Sequence, residues 1–548
     1  MRKKRILFCN EASFLNTGYA TYGREVMKRL FDTGKYELAE LACYGHRNDP
    51  RAKDIPWNYY GNMPDSGNEE ESRQYESAPT NQFGEWMFEN VCLDFKPDIV
   101  FDIRDFWMLD FQERSPFRKL FNWVIMPTVD AAPQKTQWLA TYANADHVFT
   151  YSDWAVDVLR EQTGGKINCL GSAPPSADAA YKPVTNRAEH KQKMGFDPDT
   201  RIIGTVMRNQ RRKLYPDLFE AFGKFIRQSD NKNYILYCHT SYPDVGWDLP
   251  ELLQKNGLSK YVVVTYVCAE TNQPFPSYFK DAVTQSPFTG NFSAKLSNVQ
   301  NGVSYEFLSD IFNTFDLYIQ YANSEGFGLP QVEAAACGVP VMSVDYSAMS
   351  SVIRKLNGIP LKLNGLYKEL ETGCMRAVPD NDYTAEQIGK FFSLPESMRL
   401  KKGFSAHQAF KKHYQWDQTA KKWEECFDSI EIKPEDETWK STPIIREPAS
   451  REQLPNFSDN RDVARWLISD VLCEPDRLNT YMESRLIRDL NYKSTTDVTG
   501  GMYFNEEAAI FSKPSIQPFS FDLAYDQMKS LCERRNQWEQ RRAETITQ

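Results

Sequence analysis

The sequence predicts two doubly wound α/β domains in series, followed by a mainly helical extension. Short apolar runs alternate with amphipathic stretches over the first four hundred residues. The alternation breaks once, around 165–200, and then restarts; beyond residue 430 it does not return. Such alternation is the βαβ rhythm of a parallel sheet covered by helices. At 548 residues the chain is also too long for one ordinary core.

In chain order, "RILFCN" (5–10) reads as a buried strand. It leads into a helix in which Tyr19, Tyr22, Val26, Met27 and Leu30 recur at helical spacing and Gly34 supplies the stop. "DIVFDI" (98–103), "WVIMPTV" (123–129) and "HVFTYS" (147–152) follow as strands. The interdomain linker is expected in "GGKINCLGSAPPSADAAYKPV" and the polar stretch after it. Strand "RIIGTVM" (201–207), helix "YPDLFEAFGKFIRQ" (215–228) and strands 233–239 and 261–267 restart the rhythm. Helix 304–315, strand 316–322 and strand 339–345 complete it. The expected domains are 1–160 and 161–403, with closing helices over 404–430 packing back on the first. Residues 431–548 form an extension without a readable role. Two such domains place a ligand cleft at the carboxyl ends of both sheets.

Apolar residues make up 41% of the chain and charged residues 25%, an ordinary globular composition, and the formal net charge of −9 argues against a wholesale nucleic-acid coat protein. The eleven cysteines stand singly and without C-x-x-C spacing, which points to reduced thiols. The apolar run after "MRKKR" is too short for a signal peptide, and no run approaches the length of a membrane span. A cytoplasmic protein without stable membrane insertion is expected.

The densest chemistry lies in "SEGFGLPQVEAAACG" (324–338). After strand 316–322 the chain turns through Gly326, Phe327 and Gly328 into a helix that opens at Leu329 and Pro330. Backbone N–H groups around 326–331 are then free to face an anionic ligand. Glu325 and Glu333, eight residues apart, suit sugar or ribose hydroxyls; the plain alternative is a solvated Glu325 and a dipole-complementing Glu333. The loop "MRNQRRK", also leaving a strand at the cleft edge, places Arg208 and Lys213 where two cations suit a pyrophosphate. Arg211 and Arg212 serve equally on charge alone. A hydroxyl-binding acid pair with a diphosphate-binding basic pair matches a nucleoside-diphosphate sugar.

These residues resemble a known family. "SEGFGLPQVEAAACGVPV" is similar to the E-x7-E signature of family 4 retaining glycosyltransferases of the GT-B fold, and Arg208 with Lys213 is similar to their R-x4-K pair. "SAPPSADAAYKP" resembles their interdomain stretch. "NTGYATYGREVMKRL" occupies the place of their N-terminal glycine loop, with Gly18 alone where a double glycine is usual. The resemblance spans roughly residues 1–430. It implies that Glu325 holds the transferred sugar, Glu333 the ribose diol, Arg208 and Lys213 the leaving diphosphate, and Gly18 a close backbone approach to donor or acceptor. It also implies a UDP-sugar or similar co-substrate, no permanently bound cofactor and no metal; the acidic stretches 197–199 and 380–382 read as structural.

Two departures stand out. Where the family often carries a cleft histidine after strand 123–129, this chain offers Asp130, either orienting the sugar or acceptor or forming a turn beside Pro133. The insertion 268–302 has the length of a small zinc hairpin but offers only Cys268 as a ligand, so no structural zinc is expected. His147 and His239 read as structural. The texture with its C-terminal segment is similar to bacteriophage-encoded glycosyltransferases, some of which modify hydroxymethylated bases in phage DNA. A DNA acceptor in the host cytoplasm is the specific expectation, with basic clusters at 208–213, 400–412 and 534–542 as its path. Saccharide, lipid or protein acceptors, and a non-catalytic sugar-nucleotide-binding scaffold, are the alternatives.

Overall fold

The computed structural model describes residues 2–65, 67–280, 283–298, 302–471 and 521–547. A seven-stranded sheet forms first, from β1 (Lys4–Glu11), β2 (Tyr36–His46), β3 (Asn58–Met63), β4 (Ile99–Asp102), β5 (Asn122–Ile125), β6 (His147–Thr150) and β7 (Cys169–Ser172). Its order is β3-β2-β1-β4-β5-β6-β7, and every pairing is parallel. The order reverses between β1 and β4, which makes the carboxyl edge of those strands the place for a ligand.

β2 and β3 are absent from the sequence reading for a physical reason. β2 carries Glu40, a carboxylate that is 2% exposed and would normally mark a solvent face. It is tolerated because the Ser13 hydroxyl and Trp57 Nε1 donate to it, at 3.2 and 3.1 Å. Burial still pushes its carboxyl up to about 7, with those donors opposing. β7 lies in what reads as linker and pairs with β6. The first sheet therefore extends to Ser172, and the expected boundary at 160/161 falls inside helix Asp153–Thr163.

The second sheet is built on β8 (Arg201–Val206), β9 (Tyr234–His239) and β10 (Val262–Cys268). The insertion adds β11 (Pro274–Tyr278), β12 (Val283–Thr284) and β13 (Ala294–Leu296), of which β11 and β13 pair antiparallel with β10. Cys268 packs there against the Ser286 and Ser293 hydroxyls, so the segment is held by sheet pairing. β14 (Leu317–Gln320), β15 (Val341–Val344) and β16 (Ile359–Leu361) extend the parallel part on the other side of β8. A hairpin of β17 (Leu363–Lys368) and β18 (Met375–Pro379) follows.

The closing helices divide between the domains. Helix Glu396–His413 stays on the second domain, where a Cβ at Gly403 would stand 2.2 Å from the Gly338 carbonyl. Helix Trp416–Ser429 crosses to the first: Trp423 Nε1 donates to the Tyr22 hydroxyl at 2.8 Å, and Lys4 Nζ donates to the Phe427 carbonyl at 2.7 Å. Of the closing helices expected over 404–430, the one from Trp416 onward contacts the first domain.

The extension is a strap on the first domain. Trp439 enters its core at 1% exposure, with Nε1 donating to the Pro97 carbonyl at 2.9 Å. Arg542, on helix Phe521–Thr547, is 2% exposed and donates to the carbonyls of Trp439 and Ser441 and to Glu539. We expect Trp439→Ala to lower unfolding stability by about 3–5 kcal/mol, as for other large buried aromatics. Denaturant melts would measure this, and a loss below 1 kcal/mol would show that the strap is not integral. Among the described residues no helix is long and apolar enough to cross a membrane.

Candidate functional site

The loop after β5 meets both β18 and the loop after β14 between the two sheets. Met375 N donates to the Ala132 carbonyl at 2.8 Å, and a Cβ at Gly326 would stand 2.5 Å from Thr128 Cγ2. Glycine at 326 is therefore required by the approach of the two domains. Gly328 is required by its backbone instead, with φ +84° just before helix Leu329–Ala336. Pro330 sits in that helix's first turn, Leu329 packs on the core beneath it, and Phe327 lies edge-on to Tyr414 with centroids 5.8 Å apart.

Glu325 is 5% exposed. One carboxylate oxygen receives Lys213 Nζ and, at 2.8 Å, Gln320 Nε2; the other receives Arg212 Nη1 at 2.5 Å. Backbone pairing sets up this convergence: Asn323 N donates to the Arg212 carbonyl, and Leu214 N to that of Tyr321. Burial works to raise the Glu325 pKa, but Arg212 and Lys213 outweigh it and hold it at about 2. Burial lowers Lys213 to about 8 against the attraction of Glu325.

Of the two cations expected on the diphosphate, one lies on Glu325. Lys213 is there, the second cation is Arg212, and Arg208 is held by Asp244, with Nε to Oδ2 at 3.0 Å and Nη2 to Oδ1 at 2.9 Å. Glu333 is buried in helix Leu329–Ala336, facing Tyr181 and Asp178 of the linker. The Tyr181 hydroxyl lies against it and favours its charged form. Burial pushes the Glu333 carboxyl up to about 7. Gly18 opens helix Gly18–Asp32 behind the Thr17 cap, with empty space where a Cβ would project.

Asp130 is an interdomain strut. It accepts from Arg376 Nη1 at 2.8 Å and from the Ser324 hydroxyl at 3.3 Å, while Arg376 Nη2 also reaches Glu369 at 2.7 Å. Both alternatives weighed for it, turn former and sugar or acceptor ligand, left out this ion pair from β18.

The carboxylate missed by the sequence reading is Asp105, just beyond the carboxyl end of β4. Burial raises it to about 6, the Thr128 and Tyr19 hydroxyls oppose that rise, Asp130 of the same domain adds to it, and Arg212 opposes it from across the cleft. The Tyr19 and Thr128 hydroxyls are themselves 2.9 Å apart. A fully buried ion pair shapes the turn that presents Asp105: Arg104 Nε and N both donate to Asp102 Oδ1, at 2.9 and 3.0 Å. The signal was available, because the strand-end rule that singled out Asp130 applies equally to Asp105 in "DIRDFW".

The other acids sit in turns. Asp197 Oδ1 accepts from Asp199 N ahead of β8, and Asp380 caps helix Asn381–Ser393. Of the three basic clusters, 534–542 has Arg542 buried and Arg541 bound to Asn90, and 208–213 has Arg208, Arg212 and Lys213 on carboxylates. Lys401, Lys411 and Lys412 of the third are exposed.

Residues 295–398, which include the whole Glu325–Glu333 segment, match the family model described as glycosyl transferases group 1. The chain is 26% identical over 187 residues to sucrose synthase 2 of Zea mays, and 27% identical over 189 residues to sucrose synthase 1 of Oryza sativa subsp. japonica. Each match covers 34% of this chain and 20% of the relative, so the chain spans about a fifth of the length of these curated relatives. Among solved structures, the sucrose-phosphate synthase from Thermosynechococcus elongatus is similar with a TM-score of 0.55 at 16% identity, covering 78% of this chain and 98% of that one. HepE from Anabaena, solved in complex with UDP and glucose, is similar with a TM-score of 0.53 at 13% identity, covering 78% of this chain and 100% of that one. At these identities the likeness is one of fold: two Rossmann-like domains facing a cleft, the GT-B architecture, with a group 1 glycosyl transferase segment in the second domain.

Proposed function

We propose that this protein is a retaining glycosyltransferase that moves a sugar from a nucleoside-diphosphate sugar, UDP-sugar first among them, to an acceptor hydroxyl. The observation that carries the reading is the convergence of Lys213 and Arg212 on Glu325, next to the Gly326–Gly328 turn and the start of helix Leu329–Ala336. Departure of a nucleoside diphosphate builds negative charge on phosphate oxygens. Fixed cations and backbone N–H groups aimed at that charge lower the barrier without reorganising. In this reading Arg208, Arg212 and Lys213 serve the diphosphate, Glu325 sets the cations and meets the transferred sugar, and Glu333 receives the ribose diol. Retention rests on the E-x7-E resemblance. UDP as the nucleotide is favoured by the UDP and glucose in HepE.

Incubation with UDP-, GDP- and ADP-sugars, with diphosphate release as the readout, tests the reading. Diphosphate binding without release from any donor or acceptor would make the protein a donor-binding scaffold instead. On the acceptor side, Asp105 with the Tyr19 and Thr128 hydroxyls offers a wall that accepts and orients a hydroxyl. Hydroxymethylated DNA is the specific acceptor we propose, with Arg211, Lys401, Lys411, Lys412 and Arg534 among the exposed basic residues that could meet phosphates. Nucleoside mass spectrometry after reaction with such DNA decides this, and an unchanged base would remove DNA in favour of a saccharide, lipid or protein hydroxyl.

UDP affinity should be bell-shaped in pH. Glu333 accepts from a diol best when ionised, so binding strengthens as pH rises through about 7. Lys213 loses its charge above about 8, so binding then weakens. Glu333→Gln should flatten the acid limb alone in calorimetric titrations; an acid limb that survives this change would assign it to another group.

A further inference from the structure

The loop after β9, residues 240–247, belongs to no family motif described above, yet it is fastened to the basic loop at several points. Asn209, wholly buried, accepts from Trp247 N at 2.9 Å and donates to the Trp247 carbonyl at 2.7 Å. Trp247 Nε1 donates to the Lys213 carbonyl at 2.7 Å. Gly246 lies so close that a Cβ there would stand 2.5 Å from the Asn209 carbonyl oxygen. One loop is thus the template for the backbone that carries both Arg208 and Lys213.

Asp244 is the charged residue of that template. Its side chain is 6% exposed while that of Arg208 is 49% exposed. The Ser241 hydroxyl and, at 2.8 Å, Val245 N donate to the same carboxylate and fix its plane. Asp244 takes the Nε and Nη2 edge of the guanidinium side-on. A guanidinium has five N–H donors in one plane, so the edge built from Nη1 and the outer Nη2 hydrogen stays open for a second planar or tetrahedral anion.

We infer that Asp244 is a positioning residue of the diphosphate site: it holds Arg208 by one edge so that the other edge meets a phosphate. This rests on the glycosyltransferase reading of the cleft. The competing role is an obstruction, in which Asp244 occupies Arg208 and the ligand must displace it. The geometry favours positioning, because the side-on pair leaves the end-on donors unobstructed. The depression of the Asp244 pKa to about 2, where burial is outweighed by Arg208, Ser241 and Val245, agrees with a carboxylate that stays charged throughout the working range.

The test is calorimetric binding of UDP and of inorganic pyrophosphate to the full chain and to Asp244→Asn, Asp244→Ala, Arg208→Ala and the double variant Arg208→Ala/Asp244→Ala. Asp244→Asn keeps the shape and the Ser241 and Val245 contacts, and its melting curve checks the fold. Positioning predicts that both single Asp244 variants bind each ligand about tenfold more weakly. It also predicts that donor KM rises while acceptor KM stays, and that the double variant matches Arg208→Ala. Unchanged or tighter binding in a folded Asp244→Asn overturns the inference, as does further loss of binding in the double variant. If the wild type binds both ligands but transfers no sugar, the enzymatic reading falls while positioning is still decided by binding. If it binds neither ligand, both fall together.

Discussion

Lys213→Met should lower kcat/KM for the donor by about 10²–10³-fold, the loss typical when one fixed charge is withdrawn from a developing anion. Lys213 is the most deeply buried of the loop's cations and lies directly on Glu325. Its value to the reaction comes from that burial, since a charge in a water-poor site acts on a leaving phosphate with little screening. Breaking a buried ion pair on one side costs up to about 3–5 kcal/mol of stability, and less here because Arg212 stays on Glu325. The control is therefore Lys213→Met combined with Glu325→Gln, which removes the charge that Arg212 alone would then have to balance. The double variant should regain much of the melting temperature and none of the turnover. A folded Lys213→Met within threefold of wild-type kcat/KM would remove Lys213 from the leaving-group site.

Gly326→Ala should reduce transfer by about 10²-fold, because a displacement of the order of 1 Å at a reacting centre has that effect. The added Cβ meets Thr128 Cγ2 of the other domain at 2.5 Å, while Thr128 Cβ stands 3.8 Å away, in ordinary contact. Thr128→Ser deletes that methyl and keeps the hydroxyl that faces Tyr19. The pair Gly326→Ala/Thr128→Ser should therefore recover most of the lost activity. Initial rates at saturating donor read the effect. Without rescue, the glycine would be needed for some reason other than closure between the domains.

Periodicity made most of the scaffold legible. Helix Tyr215–Gln228 has the bounds expected from its apolar spacing, and β1, β4 to β6, β8 to β10, β14 and β15 all lie within the segments read as strands or one residue beyond them. The misses in the first sheet share one cause, polar residues or turn formers in buried or edge positions. Glu40 disguised β2, "NYYGNM" carries too little apolar signal for β3, and "CLGS" sits among turn formers. The extension lacked a sheet rhythm, and its docking depends on single residues such as Trp439 and Arg542 whose partners lie a hundred or more positions away in the chain.

By itself the sequence determined the α/β architecture and the acidic and basic loops of the second domain. Hydrophobic period, turn residues and local charge are all written within a few residues of one another. Only the tertiary structure decided how those charges pair. Arg212 rather than Arg208 joins Lys213 on Glu325, Arg208 goes to Asp244, Asp130 is tied to Arg376, and Asp105 is left facing the cleft. An ion pair forms where folding brings two charges within a few ångströms in a site short of water, and neither the distance nor the burial is encoded in local spacing.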